Sequence, residues 1–260
     1  MRIKKPLALV FIFLLAATFM AGNAYADFAG KNIAVITGVL TYSTTEKIGG
    51  IPVVYFESSA AAEDVKAGRV DGFMHALSLV QVMADEFGND EFEVVALPKD
   101  IFSAQIGAFS HEQAIVDRFN MFLGVIKADG TLDEMKSRWF GSGRDLSLPM
   151  PEIANSRENG IFTTAICSDS TPYVFIGSDG NYTGFSVELA LRFGAYEKRA
   201  IEFADMEFAA LIPYIADKKA DFGLANMAIT EERGRKVLFT DPYFDEQHGI
   251  LVLKKSGQGL

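Results

Sequence analysis

The 260-residue chain contains one cysteine, Cys167, only three histidines and an excess of acidic over basic residues. A single cysteine excludes an intramolecular disulfide, so stability must come from ordinary apolar cores. The 24 Lys and Arg against 34 Asp and Glu give a formal net charge of −10. This balance argues against nucleic acid and anionic membrane surfaces as partners, because both require basic surface. The sequence also lacks a metal-ligand cluster, a Gly-rich phosphate loop and a nucleophile elbow, so we expect no metal and no cofactor.

Long apolar runs are confined to the amino terminus. Residues 2–5 carry three basic side chains, residues 7–20 are almost wholly apolar, and Ala24-Tyr25-Ala26 has a small-x-small cleavage pattern. This pattern predicts a signal peptide over residues 1–26. An uncleaved anchor is the alternative, although the run is shorter than the ~20 residues that span a bilayer. No lipid-attachment cysteine follows, so we expect a periplasmic or secreted protein.

The remaining chain alternates between apolar, β-rich runs and helical patterns, which favours an α/β fold with buried strands. The predicted strands are Asn32–Thr37, Pro52–Glu57, Glu93–Leu97, Gln105–Phe109, Phe162–Ile166, Ala200–Ala204, Phe222–Ala225 and Gly249–Leu253. Residues 63–73 and 215–223 echo each other, since each contains a helix end, a basic turn and an Asp that opens a buried strand. The echo suggests two similar lobes; chance similarity between βαβ units is the alternative. Residues 142–160 have little periodicity and predict a linker.

Several motifs follow one another in the carboxy-terminal half. They are Thr171-Pro172-Tyr173, Gly184-Phe185-Ser186-Val187-Glu188-Leu189, Leu211-Ile212-Pro213 and Met227-Ala228-Ile229-Thr230-Glu231-Glu232-Arg233. Their order and spacing resemble the first lobe of the bacterial extracytoplasmic solute-binding proteins of family 3, the polar-amino-acid family. The resemblance implies an α/β, two-lobed periplasmic-binding-protein-like fold of type II and a binding protein rather than an enzyme.

The amino-terminal half resembles the rest of the same family, but it comes first. Gly30–Gly38, Lys127–Thr131 and Trp139-Phe140-Gly141 match motifs of the family's second lobe and closing helices. We therefore predict permuted connectivity. Residues 27–108 would form a lobe resembling the family's second lobe, 109–141 closing helices on the other lobe, 142–160 a linker, 161–255 a lobe resembling the first lobe, and 256–260 a tail.

The permuted order predicts a single covalent crossing between the lobes, near Phe102–Phe109. Residues 28–31 and 254–260 would then be neighbouring ends, and the hinge would be looser, which favours an open form. Pairing of halves between molecules and membership of a longer tandem array are alternatives.

The resemblance implies a ligand site between the lobes. Arg233 would clamp a ligand carboxylate, because a guanidinium offers two parallel donors, and the Ala228 amide would point at the same group. The alternative for Arg233 is a surface helix arginine paired with Glu231 and Glu232. The predicted ligand-binding residues are Arg233, Ala228, Asn226, Thr37, Gly38, Val39, His75, Ala76, Ser170 and Tyr173.

Departures from the family pattern bear on the ligand. Ala76 stands where the family has an Asp that meets the ligand's ammonium, Ala228 and Val39 stand where hydroxyls are common, and Ser170 replaces an aromatic residue. A buried ammonium without a carboxylate would be costly. A carboxylate ligand without an amine is therefore open, as is one whose amine meets Asp169 or Glu46. His75 is either a participant or a packed histidine.

The leading functional hypothesis is extracytoplasmic binding of a small carboxylate-bearing solute, such as an amino acid, for an ABC importer. The importer permease would be the partner, and membrane contact would occur only through it. A binding-only sensor or a non-transport lobe pair is the alternative. An enzyme resembling cyclohexadienyl dehydratases would need a cleft acid for proton transfer, for which Glu188 and Asp169 are candidates.

Overall fold

The computed structural model describes residues 26–88 and 90–254. The predicted signal peptide, apart from Ala26, and the predicted tail at 256–260 lie outside the described residues. Among the helices of the described part, none has both the length and the apolar character needed to cross a membrane.

The amino-terminal lobe, lobe A, is built on a five-stranded sheet. The strands across it are β2 (Ile51–Tyr55), β1 (Asn32–Ile36), β3 (Gly72–Ala76), β14 (His248–Leu253) and β4 (Phe92–Ala96). The first three are parallel, whereas β14 runs antiparallel to both of its neighbours. The helices packed on this sheet are α1 (Thr41–Lys47), α2 (Ser58–Lys66) and α3 (Leu77–Phe87).

The second lobe, lobe B, has a five-stranded sheet and a core rich in phenylalanine. Its strands are β10 (Ala200–Asp205), β7 (Ile161–Ile166), β11 (Phe222–Gly223), β6 (Phe109–Ser110) and β12 (Leu238–Phe239). The helices are α4 (Gln113–Ala128), α5 (Thr131–Phe140), α6 (Phe185–Glu197), α7 (Leu211–Ala216) and α8 (Glu231–Gly234), and a small ribbon pairs β8 (Phe175–Ile176) with β9 (Tyr182–Thr183). Phe119, Phe162, Phe193 and Phe222 are fully buried and in mutual ring contact.

The two sheets have the same strand order. In lobe A, β1 lies between β2 and β3, and in lobe B, β7 lies between β10 and β11. The next place is taken by an antiparallel strand that follows a hinge strand, β14 in lobe A and β6 in lobe B. Each also uses the same aspartate contact: Asp71 accepts the Asn32 amide at 2.8 Å, and Asp221 accepts the Thr163 amide at 2.7 Å. Asp71 thus holds β1 at its first residue, and Asp221 holds β7 at its third. The sequence echo is therefore real, and the prediction of two similar α/β lobes is confirmed.

Two strands connect the lobes. β5 (Ala104–Ile106) leads from lobe A into lobe B, β13 (Phe244–Glu246) leads back, and the two pair antiparallel. The prediction of a single crossing is therefore wrong, and so is the placing of residues 248–253 in the carboxy-terminal lobe. The physical reason is that β14 fills the gap between β3 and β4, where their backbone groups need a partner strand. The looser hinge was predicted from a single crossing, so the presence of two crossings removes the reason for it.

Candidate functional site

The lobes meet closely around the hinge strands. The Arg233 Nη2 atom of lobe B donates to the Gly38 carbonyl of lobe A at 2.8 Å, and the Ser58 amide of lobe A donates to the Asp169 carboxylate of lobe B at 2.6 Å. Two cavities lie in this cleft, one of about 260 Å³ and one of about 20 Å³, and both contact Val39 and Phe208. The structure therefore represents a closed cleft with a divided interior.

The smaller cavity, called here the arginine cavity, contains five of the ten predicted ligand residues: Val39, Ala76, Asn226, Ala228 and Arg233. The lining also includes Glu246 and His248, which come from the hinge strand and from β14. The predicted site thus draws on both lobes and on the hinge.

Arg233 is held by the loop that precedes it. The Thr230 hydroxyl caps α8 by accepting the Arg233 amide at 3.2 Å, and this fixes the start of the side chain. Nη1 donates to the Ala228 carbonyl at 2.8 Å, and the guanidinium lies 5.7 Å from the Phe208 ring centre. Burial lowers the pKa of this guanidinium. Its donors meet only carbonyl oxygens, which are weaker partners than a carboxylate.

The surface-arginine alternative does not hold. Glu231 pairs with Arg235 at 2.8 Å and Glu232 pairs with Lys236 at 3.8 Å, so both glutamates face away from Arg233 toward solvent. Arg233 has no ion-pair partner within the described residues. It is a half-buried cation in a cleft without a counter-charge in contact.

The Ala228 amide is available beside this guanidinium. Ala228 forms an isolated antiparallel bridge with Ile106 of β5, and the hydrogen bonds of that bridge come from its neighbours: the Ile229 amide donates to Gln105 at 2.8 Å. Within the described chain the Ala228 amide itself has no acceptor. A free amide next to a guanidinium forms a pair of donors suited to an anionic group.

The larger cavity, called here the acidic cavity, is lined by four carboxylates and by no Lys or Arg. The acidic residues are Glu57, Asp169, Asp205 and Glu207. Asp205 accepts the Ser168 amide at 2.9 Å, and burial raises the pKa of Asp169. Glu57 and Glu207 have no ion-pair partner among the described residues. A cavity with one sign of charge concentrates counter-ions, so this one favours a cationic group.

His75 and Cys167 line the acidic cavity as neutral groups. The His75 Nδ1 atom accepts the Ala76 amide at 2.8 Å, and burial lowers the pKa of this imidazole to about 4. Burial also raises the pKa of the Cys167 thiol to about 11. Ser170 lies in the same wall and is 2% exposed. His75 is thus a packed histidine that contributes surface rather than charge.

Three predicted residues contribute in other ways. Thr37 and Gly38 line neither cavity, although the Gly38 carbonyl receives Arg233. Tyr173 is fully buried, and its hydroxyl donates to Glu246 at 2.5 Å. Its expected place at the cavity wall is corrected: Tyr173 belongs to the core beneath the cleft, since its ring packs among Phe140, Phe185 and Phe244.

Of the three acidic residues considered as alternative ligand partners or catalytic acids, one lines a cavity of the cleft and two do not. Asp169 lines the acidic cavity, whereas Glu46 lines neither cavity. Glu188 is fully buried, accepts the Trp139 indole at 2.7 Å and pairs with Arg192 at 2.8 Å. It therefore holds α5 against α6 and has no access to the cleft. The sequence reasoning missed the carboxylates at 57, 205, 207 and 246.

Part of the chain matches a known protein family. Residues 162–259 match the profile of the bacterial extracellular solute-binding proteins, family 3. Residues 162–259 belong to this family. The family 3 segment covers most of lobe B, the returning hinge strand and β14, and it contains Asn226, Ala228, Arg233 and Glu246.

Individual relatives match over similar lengths. The arginine-binding extracellular protein ArtP of Bacillus subtilis is 37% identical over 90 residues, which are 35% of each chain. A probable histidine-binding protein of Neisseria gonorrhoeae is 29% identical over 114 residues, 44% of this chain and 41% of that protein. The chain thus covers well under half the length of these curated relatives. Among solved structures, arginine-bound domain 1 from TmArgBP is 36% identical, with a TM-score of 0.33, over 38% of this chain and 85% of that one.

Gly38 offers a test of the closed cleft. Its φ is +78°, and a β-carbon there would lie 3.1 Å from Ala209 of the other lobe. We expect Gly38→Ala to separate the lobes and to break the Arg233 hydrogen bond to residue 38, a loss of about 1 kcal/mol, so that a thiol reagent should label Cys167 about fivefold faster. Gly124→Ala is the matched control, because Gly124 has open space around it. An unchanged labelling rate in folded Gly38→Ala protein would contradict this description of the cleft.

Proposed function

We propose that this protein binds a small solute that carries a carboxylate and a cationic side group, in the cleft between lobes A and B. The observation that carries the proposal is the charge arrangement. Arg233 lies half-buried without a carboxylate partner in contact, and the adjoining cavity has four carboxylates and no basic residue. A ligand carboxylate would replace the carbonyl oxygens at Arg233, and its cationic end would neutralise the acidic cavity.

The names of the relatives support a cationic amino acid. Arginine-binding proteins of Bacillus subtilis and Escherichia coli, and histidine-binding proteins of Neisseria gonorrhoeae and Escherichia coli, match this chain. Arginine combines a carboxylate with a guanidinium at the far end of a flexible chain. The size and charge of the acidic cavity suit such a guanidinium.

The proposed role is delivery of this solute to an ABC importer. The leader-like amino terminus and the extracellular and periplasmic names of relatives favour a location outside the cytoplasm. The permease would be the partner, and it would recognise the closed form that the ligand stabilises by bridging both lobes. A binding-only sensor would use the same cleft and would differ only in what recognises that form.

We also propose that the connectivity is a permutation of the family's usual order. The family 3 segment supplies lobe B, β13 and β14, while the segment that resembles the family's second lobe precedes it in the chain. Phe28 and Ile250 share one apolar cluster, so the start of lobe A lies against the strand that returns from lobe B. Both hinge strands are retained, which would preserve the closing motion.

Arg233 is the direct test of carboxylate binding. L-Arginine at a hundred times its dissociation constant should raise the free energy of unfolding by ~2.7 kcal/mol. We expect Arg233→Ala to weaken this binding by at least about 30-fold, because it removes a desolvated charge partner worth ~2 kcal/mol or more. Calorimetric titration of protein freed of bound solute by unfolding and refolding measures the effect.

The matched control is Arg235→Ala, since Arg235 is exposed and pairs only with Glu231. It should bind L-arginine like the unchanged protein, because an exposed helix ion pair contributes only ~0.3–0.5 kcal/mol. Wild-type affinity in Arg233→Ala would contradict the role assigned to the guanidinium.

A rearranged chain tests the proposed permutation. Residues 161–254 would be placed first and joined through a short Gly/Ser linker to residues 27–141. Because the two hinge strands and both sheets stay complete, we expect the same fold by circular dichroism and the same affinity for L-arginine within about a factor of ten. Failure of the rearranged chain to fold, beside a folded natural chain, would oppose the proposal.

A further inference from the structure

Glu246 is a buried carboxylate in the same cavity as Arg233. It ends the hinge strand β13, is 5% exposed and lines the arginine cavity. Its Oε2 atom accepts the Ser78 hydroxyl at 2.6 Å and the Tyr173 hydroxyl at 2.5 Å, and its Oε1 atom accepts the Gln247 amide at 2.8 Å. These three donors, from lobe A, lobe B and the hinge, hold the carboxylate in one orientation. Charges this deeply buried are normally paired.

Glu246, an acid, and Arg233, a base, face one cavity but form no ion pair among the described residues. Burial raises the pKa of the Glu246 carboxyl, so a cation in contact with it would favour its charged form. Arg233 contacts the Gly38 and Ala228 carbonyls, and Glu246 contacts hydroxyls and an amide. Two separated, opposite charges facing one cavity match the two charges of a zwitterion. A carboxylate would lie toward Arg233, and an ammonium toward Glu246.

A second acceptor lies in the same cavity. The Asn226 Oδ1 atom is buried and has no hydrogen-bond partner. A buried acceptor without a donor costs about 1–3 kcal/mol, and an ammonium would supply the missing donor. No other cation competes with an ammonium here, because Arg233 is the sole Lys or Arg among the lining residues and His248 is neutral, its pKa lowered to about 3 by burial.

Ala76, where the sequence lacks the expected Asp, lines this cavity together with Glu246. The two positions are neighbours in space: β14 pairs His248 with Ala76, and the Leu77 amide donates to the Gln247 carbonyl at 2.8 Å. The carboxylate near residue 76 is therefore that of Glu246 on the hinge strand β13, the residue before Gln247. It does not come from β3 itself.

We propose that Glu246 and the Asn226 Oδ1 atom receive the α-ammonium of the solute, so that the ligand is an α-amino acid and not a carboxylate without an amine. The inference rests on the proposed function and specifies its substrate class. A ligand without the amine would leave Glu246 uncompensated and would bring its own carboxylate near a like charge. Ser78 and Tyr173 act as positioning residues, because they orient Glu246 without facing the ligand.

The test compares two probes that differ only in the amine, L-arginine and 5-guanidinopentanoate. Their affinities are measured by calorimetric titration of the full-length protein as purified and refolded, and of Glu246→Gln. The unchanged protein should prefer L-arginine by at least about 30-fold, the loss expected when a buried charge goes unpaired. Glu246→Gln should reduce that preference to threefold or less, chiefly by weakening L-arginine binding. Glu202→Gln is the matched control, since Glu202 is exposed on β10, pairs with Arg157 and should keep the full preference.

The other results that these titrations could give each decide against the inference or against the proposed function. If Glu246→Gln weakens both probes equally, Glu246 only shapes the cleft and the inference fails. If the unchanged protein binds both probes equally, the inference fails while the proposed function stands. If it binds neither probe nor other cationic amino acids, the proposed function fails first. Should Glu246→Gln not fold, Asn226→Leu replaces it: a reduced preference supports the ammonium site, and an unchanged preference overturns it.

Discussion

The strand exchange at the hinge is the constraint on which the rest of the structure depends. Each five-stranded sheet is completed by an antiparallel strand from across the hinge, β14 in lobe A and β6 in lobe B. Removing either strand would leave β3 or β11 with unpaired backbone groups in a buried sheet. The lobes are joined covalently by β5 and β13, so a relative movement of the lobes must bend the chain at these two paired strands. Glu246 lies at such a point.

The charged side chains of the cleft lie where a bound solute could supply their counter-charges. Arg233 from lobe B reaches a carbonyl of lobe A, four carboxylates surround the adjoining cavity, and Glu246 lies at the hinge between them. Among the described residues Glu57 and Glu207 have no ion-pair partner, Arg233 contacts carbonyl oxygens, and Glu246 contacts hydroxyls and an amide. Such partners are weaker than charged ones, so a solute with matching charges would stabilise the closed form by the difference. This gives a physical route from binding to closure without any new contact between the lobes.

The sequence predicted the lobes better than it predicted their connection. Strands such as Asn32–Ile36 and Ala200–Asp205 are compact apolar runs, and a local pattern identifies them to within one or two residues. The pairing of β14 with β3 joins residues about 175 positions apart, and local periodicity carries no information on such a partner. That is why the second crossing was missed. The linker contact between Arg144 and Asp85 of α3 is equally non-local.

For the site, motif resemblance located Arg233, Ala228 and Asn226 in one cavity, because they lie close together in a single loop. It misplaced Tyr173, whose aromatic ring suits a cavity wall and a core equally well until its neighbours are known. Glu246 was not among the predicted ligand residues, because no local sequence pattern marks it. Glu246 lies in the polar stretch Asp245-Glu246-Gln247-His248, where a carboxylate gives no local signal. Its orientation depends on Ser78 and Tyr173, which are distant in sequence.

The proposed function requires the cleft to bind one solute that carries both a carboxylate and a cationic group. Calorimetric titration of the refolded protein with L-arginine and with citrulline tests this directly, since citrulline has the same shape without the side-chain charge. We expect one bound arginine per chain and at least about tenfold weaker binding of citrulline, because citrulline has no cation to pair with the cavity carboxylates. Equal binding of the two solutes would contradict the role of the acidic cavity, and no binding of either would contradict the proposed function as a whole.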